Sequence, residues 1–210
     1  MNTLKFLPII LLVVFGFINL NHTYVLFRPK KTTSPPHLNN FVINQSAKLS
    51  DSKIIYFGRK TASPKGIGLI LYDSKLKQII YEDIRVGEED YIKAHFYKSS
   101  LASDGIVILS STGAEVTHGI SIYLFANNNL INCGQMNVVL NENPYKSILD
   151  AGPYALIVKS DSAITFSFYK SVTSNYHGLN HKNHELGKLS YVYKNDSLTI
   201  KTNECFCCSH

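Results

Sequence analysis

From Phe41 onward the chain is built of short apolar runs cut by turn-forming residues, and no stretch of it sustains an apolar face at helical period. Ile164-Thr165-Phe166-Ser167-Phe168 alternates apolar with small polar residues, the pattern of a strand with one buried face. Ile120, Ile122 and Leu124 alternate in the same way with Ser121, Tyr123 and Phe125. Lys53–Phe57, Ile67–Tyr72, Gln78–Val86, Tyr91–Tyr97 and Gly105–Ser110 read as strands, and so do Leu130–Leu140, Tyr154–Val158 and Leu189–Tyr193.

The separators support the same reading. Asp73-Ser74-Lys75-Leu76-Lys77, Asn127-Asn128-Asn129, Lys159-Ser160-Asp161-Ser162 and Lys194-Asn195-Asp196-Ser197 are polar and rich in residues that tolerate left-handed backbone. Strand, turn, strand predicts hairpins at each. Thirteen Tyr and eleven Phe with abundant Ile favour strands over helices. About ten or eleven strands at this spacing predict an all-β domain, an antiparallel β-sandwich or alternatively a closed β-barrel. Residues 143–151 are the one place where a short helix is expected. There is no fixed-period repeat, which disfavours a propeller.

The N-terminus has a different character. Lys5 precedes Phe6–Phe17 (FLPIILLVVFGF), the layout of a signal peptide or membrane anchor, and a helix from Phe6 to Leu26 would approach the length of a span. Residues 28–40 (RPKKTTSPPHLNN) read as a solvated linker. The expected organisation is thus a targeting or anchor helix over 1–27, a linker over 28–40, an all-β domain over 41–202 and a Cys-rich tail over 203–210. The domain is expected outside the cytoplasm, membrane-anchored or secreted. Asn21, Asn44 and Asn195 begin N-x-S/T sequons.

Charge argues against nucleic acid. The net charge is +6, but Lys5, Arg28, Lys30 and Lys31 all precede residue 41, leaving 17 basic residues against 15 acidic ones. A nucleic-acid binder carries its surplus as a patch on the fold. A basic stretch beside an apolar segment instead suits a topology or headgroup signal.

Two clusters hold soft ligands. His177, His181 and His184 fall within eight residues of a Gly- and Asn-rich stretch expected to be a loop. Cys205, Cys207, Cys208 and His210 end the chain. Imidazole and thiolate suit Zn or Cu, but neither cluster supplies two C-x2-C pairs, so a polar loop and a disulfide staple (with Cys133 as a further thiol) are the simpler readings. Glu82-Asp83 and Glu88-Glu89-Asp90 pair carboxylates without the order of a calcium loop. No nucleophile elbow, phosphate loop or HExxH is present. The expectation is a non-catalytic binding or interaction protein of the cell envelope or exterior, contacting a membrane through its N-terminus and a protein or glycan through its domain. Tyr123, Tyr169, Tyr191 and Tyr193 are candidate contact residues. A metal-binding protein is the second expectation, and a hydrolase with a site assembled from distant residues is the third.

Overall fold

The computed structural model describes residues 21–32, 38–86, 91–113, 117–140, 150–176, 180–184 and 188–202. Sixteen strands lie among them: β1 (His22–Phe27), β2 (Phe41–Lys48), β3 (Lys53–Lys60), β4 (Gly66–Asp73), β5 (Gln78–Val86), β6 (Tyr91–Ser99), β7 (Ile106–Gly113), β8 (Thr117–Ala126), β9 (Asn129–Met136), β10 (Val138–Leu140), β11 (Ala155–Lys159), β12 (Ile164–Phe168), β13 (Val172–Tyr176), β14 (Asn180–His184), β15 (Leu189–Lys194) and β16 (Ser197–Thr202). The described residues are nearly all β, with two 3-10 turns (Ala102–Asp104 and Gly152–Tyr154), as the alternation predicts.

Turn chemistry sets the hairpins. Asp73 Oδ1 accepts the N–H groups of Lys75 (2.9 Å) and Leu76 (3.1 Å), closing the turn between β4 and β5. Asn127 and Asn128 (φ 52° and 61°) turn β8 into β9, and Asn195 and Asp196 (φ 51° and 56°) turn β15 into β16. Two successive positive φ angles match the right-handed twist of the flanking strands, which is why Asn and Asp stand there.

Nine strands form one antiparallel sheet in the order β16-β15-β12-β11-β1-β6-β7-β8-β9. It curves until it is nearly a barrel. Its two outer strands meet through side chains: a Cβ at Gly134 of β9 would lie 3.3 Å from Leu198 of β16. Inside, Tyr97, Leu109, Ile122, Met136, Ile157 and Phe166 form a continuous buried cluster. The small sheet β10-β13-β14 adds Val138, Leu140 and Val172 to that cluster.

A four-stranded sheet, β2-β3-β4-β5, lies against the outside of β6–β9. Ile55, Phe57, Leu69 and Leu71 from this sheet pack on Phe96, Ile108, Tyr123 and Phe125 from the larger one. Neighbouring residues of β6, β7 and β8 therefore point into different cores, Phe96 outward and Tyr97 inward, and both are 2% exposed. Polar groups fix the register between the layers. Gln45 bonds both backbone groups of Ala94 (2.9 and 3.0 Å). Arg85 donates to Ser121 (2.6 Å) and Gln135 (3.0 Å).

The N-terminal boundary differs from the expected one. His22–Phe27 is not the end of an apolar helix but a strand in the interior of the large sheet, paired with β11 on one side and β6 on the other. Its Thr, Tyr and Val are strand formers, and Tyr24 is 3% exposed. Residues 1–20 lie outside the described residues; within these, no helix is long and apolar enough to cross a membrane. The described parts of the expected linker are also hydrogen-bonded to the domain: Lys30 O accepts from Lys48 N–H (3.0 Å) and Asn40 O from Thr61 N–H (2.7 Å). The helix expected near 143–151 falls mostly on 141–149, outside the described residues.

Candidate functional site

The outer face of the four-stranded sheet carries a cleft of about 440 Å³. Cross-strand pairing assembles it: Tyr72 of β4 stands opposite Ile79 of β5, and Ile70 opposite Glu82. Phe41 at the start of β2 closes one side. The floor is apolar and aromatic, and it is backed by Tyr56, fully buried, whose ring meets Tyr72 edge-on at 6.4 Å. Rigid aromatic walls of this kind give contact area without needing to be ordered on binding.

The rim is polar. Lys60 and Glu82 form an ion pair at 2.9 Å, with 34% and 39% of their side chains exposed. Asn39, Asn40, Lys77 and Gln78 complete the rim, and the positive φ of Asn40 (62°) and Lys77 (55°) marks both as turn residues. Lys60, Lys77, Glu82, Gln78 and the Asn side chains give the described lining both hydrogen-bond donors and acceptors. Polar and apolar groups therefore share the surface of the cleft.

Two buried carboxylates form separate hubs. Asp150, 5% exposed, accepts from Ser111 Oγ (2.6 Å) and Gly152 N–H (2.8 Å) on Oδ1 and pairs with His95 Nε2 (2.6 Å) on Oδ2. Burial alone would raise its pKa, but the bonds from His95 and Ser111 outweigh that and hold it below the usual carboxylate range. Ser, His and Asp thus meet, but Ser111 bonds the carboxylate and not the imidazole. The relay that would activate a serine is not assembled.

Asp104 is the second hub. It takes Lys159 Nζ (2.7 Å) on Oδ1, and Ser99 Oγ (2.7 Å) and His22 Nδ1 (3.0 Å) on Oδ2, while its backbone carbonyl accepts from Tyr24 OH (2.8 Å). Burial pushes its pKa up, and these three side-chain partners bring it down to about 2. Both hubs join elements of the large sheet.

The residues anticipated from sequence fare differently. Asn180–His184 forms β14, paired with β13, where a loop was expected; His181 stands opposite Asn175 and His184 opposite Val172 in the ladder. His177 and the tail residues Cys205, Cys207, Cys208 and His210 lie outside the described residues. Among the described residues, no group of three or more His, Cys, Asp or Glu is placed to hold a metal ion. Cys133 is a free thiol, 4% exposed, and burial pushes its pKa up to about 11.

Glu82 and Asp83 do not act as a carboxylate pair. Glu82 bonds Lys60 on the outer face, whereas Asp83 takes Tyr123 OH (2.8 Å) and Asn132 Nδ2 (3.1 Å) from the large sheet. Of the four anticipated tyrosines only Tyr169 is exposed, at 49%; Tyr123 and Tyr191 are buried and Tyr193 is half-buried. Of the cleft residues, the sequence points to Glu82 only as half of a carboxylate pair and does not single out Phe41, Lys60 or Tyr72. Their one sequence signal is the Asp73–Lys77 turn, which places Tyr72 and Ile79 close together across the hairpin.

No protein-family model matches the chain, and neither a curated protein nor a solved structure shows significant similarity to it.

Proposed function

We propose that the chain is a non-catalytic binding protein of the cell envelope or exterior, and that the cleft on the four-stranded sheet receives a small neutral ligand with one flat apolar face and several hydroxyls, such as a sugar ring. The observation that carries this reading is the lining of the cleft. Phe41, Tyr72 and Ile79 offer apolar surface, and Asn39, Asn40, Gln78 and the Lys60–Glu82 pair offer both donors and acceptors. The ion pair sets Lys60 against Glu82 and leaves Lys77 as the other charged residue of the described lining, so no cluster of cations converges on a phosphate or a carboxylate. Placement outside the cytoplasm rests on the apolar run behind Lys5. In architectural terms we read the domain as a barrel bearing one stacked sheet, so that the barrel is the scaffold and the outer sheet presents the site.

The test is calorimetric titration of the protein with cellohexaose, chitohexaose and maltohexaose in turn. Binding of one of them at about the millimolar level or tighter is expected. Tyr72→Ala should weaken it roughly tenfold through loss of ring contact. If none of the three binds, or if Tyr72→Ala leaves binding unchanged in a folded protein, the cleft is not a saccharide site.

A further inference from the structure

The edges of the sheets are not equally protected. Strands β9 and β16 close on each other through side chains. Strand β2 is tied down at one end by the Lys30 carbonyl, and Gln45 spans from it to the large sheet. Strand β5 hydrogen-bonds β4 on one side and no described strand on the other. It is nine residues long, contains no proline, and exposes Ile79, Ile80 and Val86, with Leu76 in the turn before it; Val86 is 68% exposed. An open edge of this length with exposed apolar residues is a template for another strand, and natural proteins normally blunt such edges.

Glu82 and the inward-pointing Asp83 and Arg85 put charge on this edge, and a bulge further limits the template. Leu71 faces Tyr81 while Tyr72 faces Ile79, so Ile80 is the extra residue of a bulge. The regular part of the edge is therefore Tyr81–Val86.

We propose that this edge pairs antiparallel with the same edge of a second copy of the chain, about a twofold axis through Ile84, joining the two outer sheets into one. The choice of occupant rests on self-complementarity. If both barrels are to lie on the same side of the joined sheet, residues facing each other across the seam must share a face, so the axis passes through a residue. An axis at Glu82, Asp83 or Arg85 would set a charge against its own copy. An axis at Ile84 sets Ile84 against Ile84, Asp83 against Arg85 of the second copy on both sides, and Glu82 against Val86 of the second copy. The charged groups are already held in place. Arg85 is anchored by Ser121 and Gln135, and the two bonds to Asp83 from Tyr123 and Asn132 both fall on Oδ2, so Oδ1 takes neither.

This register makes an unusual demand of Val86, which projects as a largely exposed side chain on its own copy but stands opposite Glu82 in the pair. Val86→Glu should weaken pairing about tenfold by setting like charges together twice, whereas Val86→Lys should preserve or tighten it. At this exposure neither substitution should alter the fold. The measurement is sedimentation velocity of the full chain in detergent over a concentration series. It is joined by mild oxidation of an Ile84→Cys variant, with peptide mapping to separate an 84–84 crosslink from bridges made by the native cysteines. A reversible dimer, opposite effects of the two Val86 variants and an 84–84 crosslink are expected. A monomer at every concentration, a dimer that both Val86 variants weaken alike, or absence of the 84–84 peptide would each overturn the proposal.

Discussion

Removing the charge of Asp104 acts on several elements at once, because its carboxylate collects His22 of β1, Ser99 of β6 and Lys159 of β11. The folded pKa of about 2 lies below the ordinary 3.8, so the group contributes stability that is full above pH 4 and is lost as pH falls towards 2. The contribution is on the order of 2 kcal/mol. Asp104→Asn should lower stability by about that amount at pH 7 and flatten the acid limb of the stability profile, as read from urea melts between pH 2 and 7. His95→Ala should cost about 2–3 kcal/mol in the same assay by leaving the Asp150 carboxylate buried with one partner fewer. Neither hub was legible in the sequence. Asp104 lies 82 residues from His22 and Asp150 lies 55 from His95, and no local spacing links them. Only the strand order brings them together.

Among the elements, β1 departs most from expectation and has the largest consequence. Apolar residues resume at Tyr24-Val25-Leu26 after Asn19, Asn21 and His22, so composition alone does not tell a continued apolar segment from a strand. Pairing places His22–Phe27 with the strands. A chain beginning at residue 28 would leave β6 and β11 with open edges in the interior of the sheet and uncover the cluster behind Tyr24. It should lack a cooperative thermal transition, whereas a chain beginning at Asn21 should show one by circular dichroism. The hairpins were readable, because Asp73, Asn127-Asn128 and Asn195-Asp196 fix their turns locally. Strands β13 and β14 were not, since Asn180–His184 contains no apolar residue and pairs through its backbone. Gly68 marks another constraint of the backbone alone: a Cβ there would stand 1.9 Å from the Asp83 carbonyl of β5, so Gly68→Ala must push β4 and β5 apart. A loss of about 1–3 kcal/mol in urea melts is expected, without change in the barrel.

At the scale of the whole molecule, sequence alternation specified all-β but not the layering. Strands β6–β8 are buried on both faces, so Tyr123, which alternation placed on an outward face, packs between the sheets. The same enclosure isolates Cys133 inside the large sheet. With its pKa raised to about 11, native Cys133 should alkylate far more slowly at pH 8 than in urea. Peptide-resolved labelling would then time the opening of the seam between β9 and β16. The places where the chain enters and leaves the large sheet also give it a mechanical polarity. It enters through β1, gripped along both flanks, and leaves through β16, gripped along one. A pull on the N-terminal end, directed along β1, loads the ladders to β6 and β11 together in shear. A pull on the C-terminal end opens the β15–β16 ladder rung by rung, like a zip. Tethered by its N-terminus, the domain would bear load through its strongest attachment and yield first at its far end.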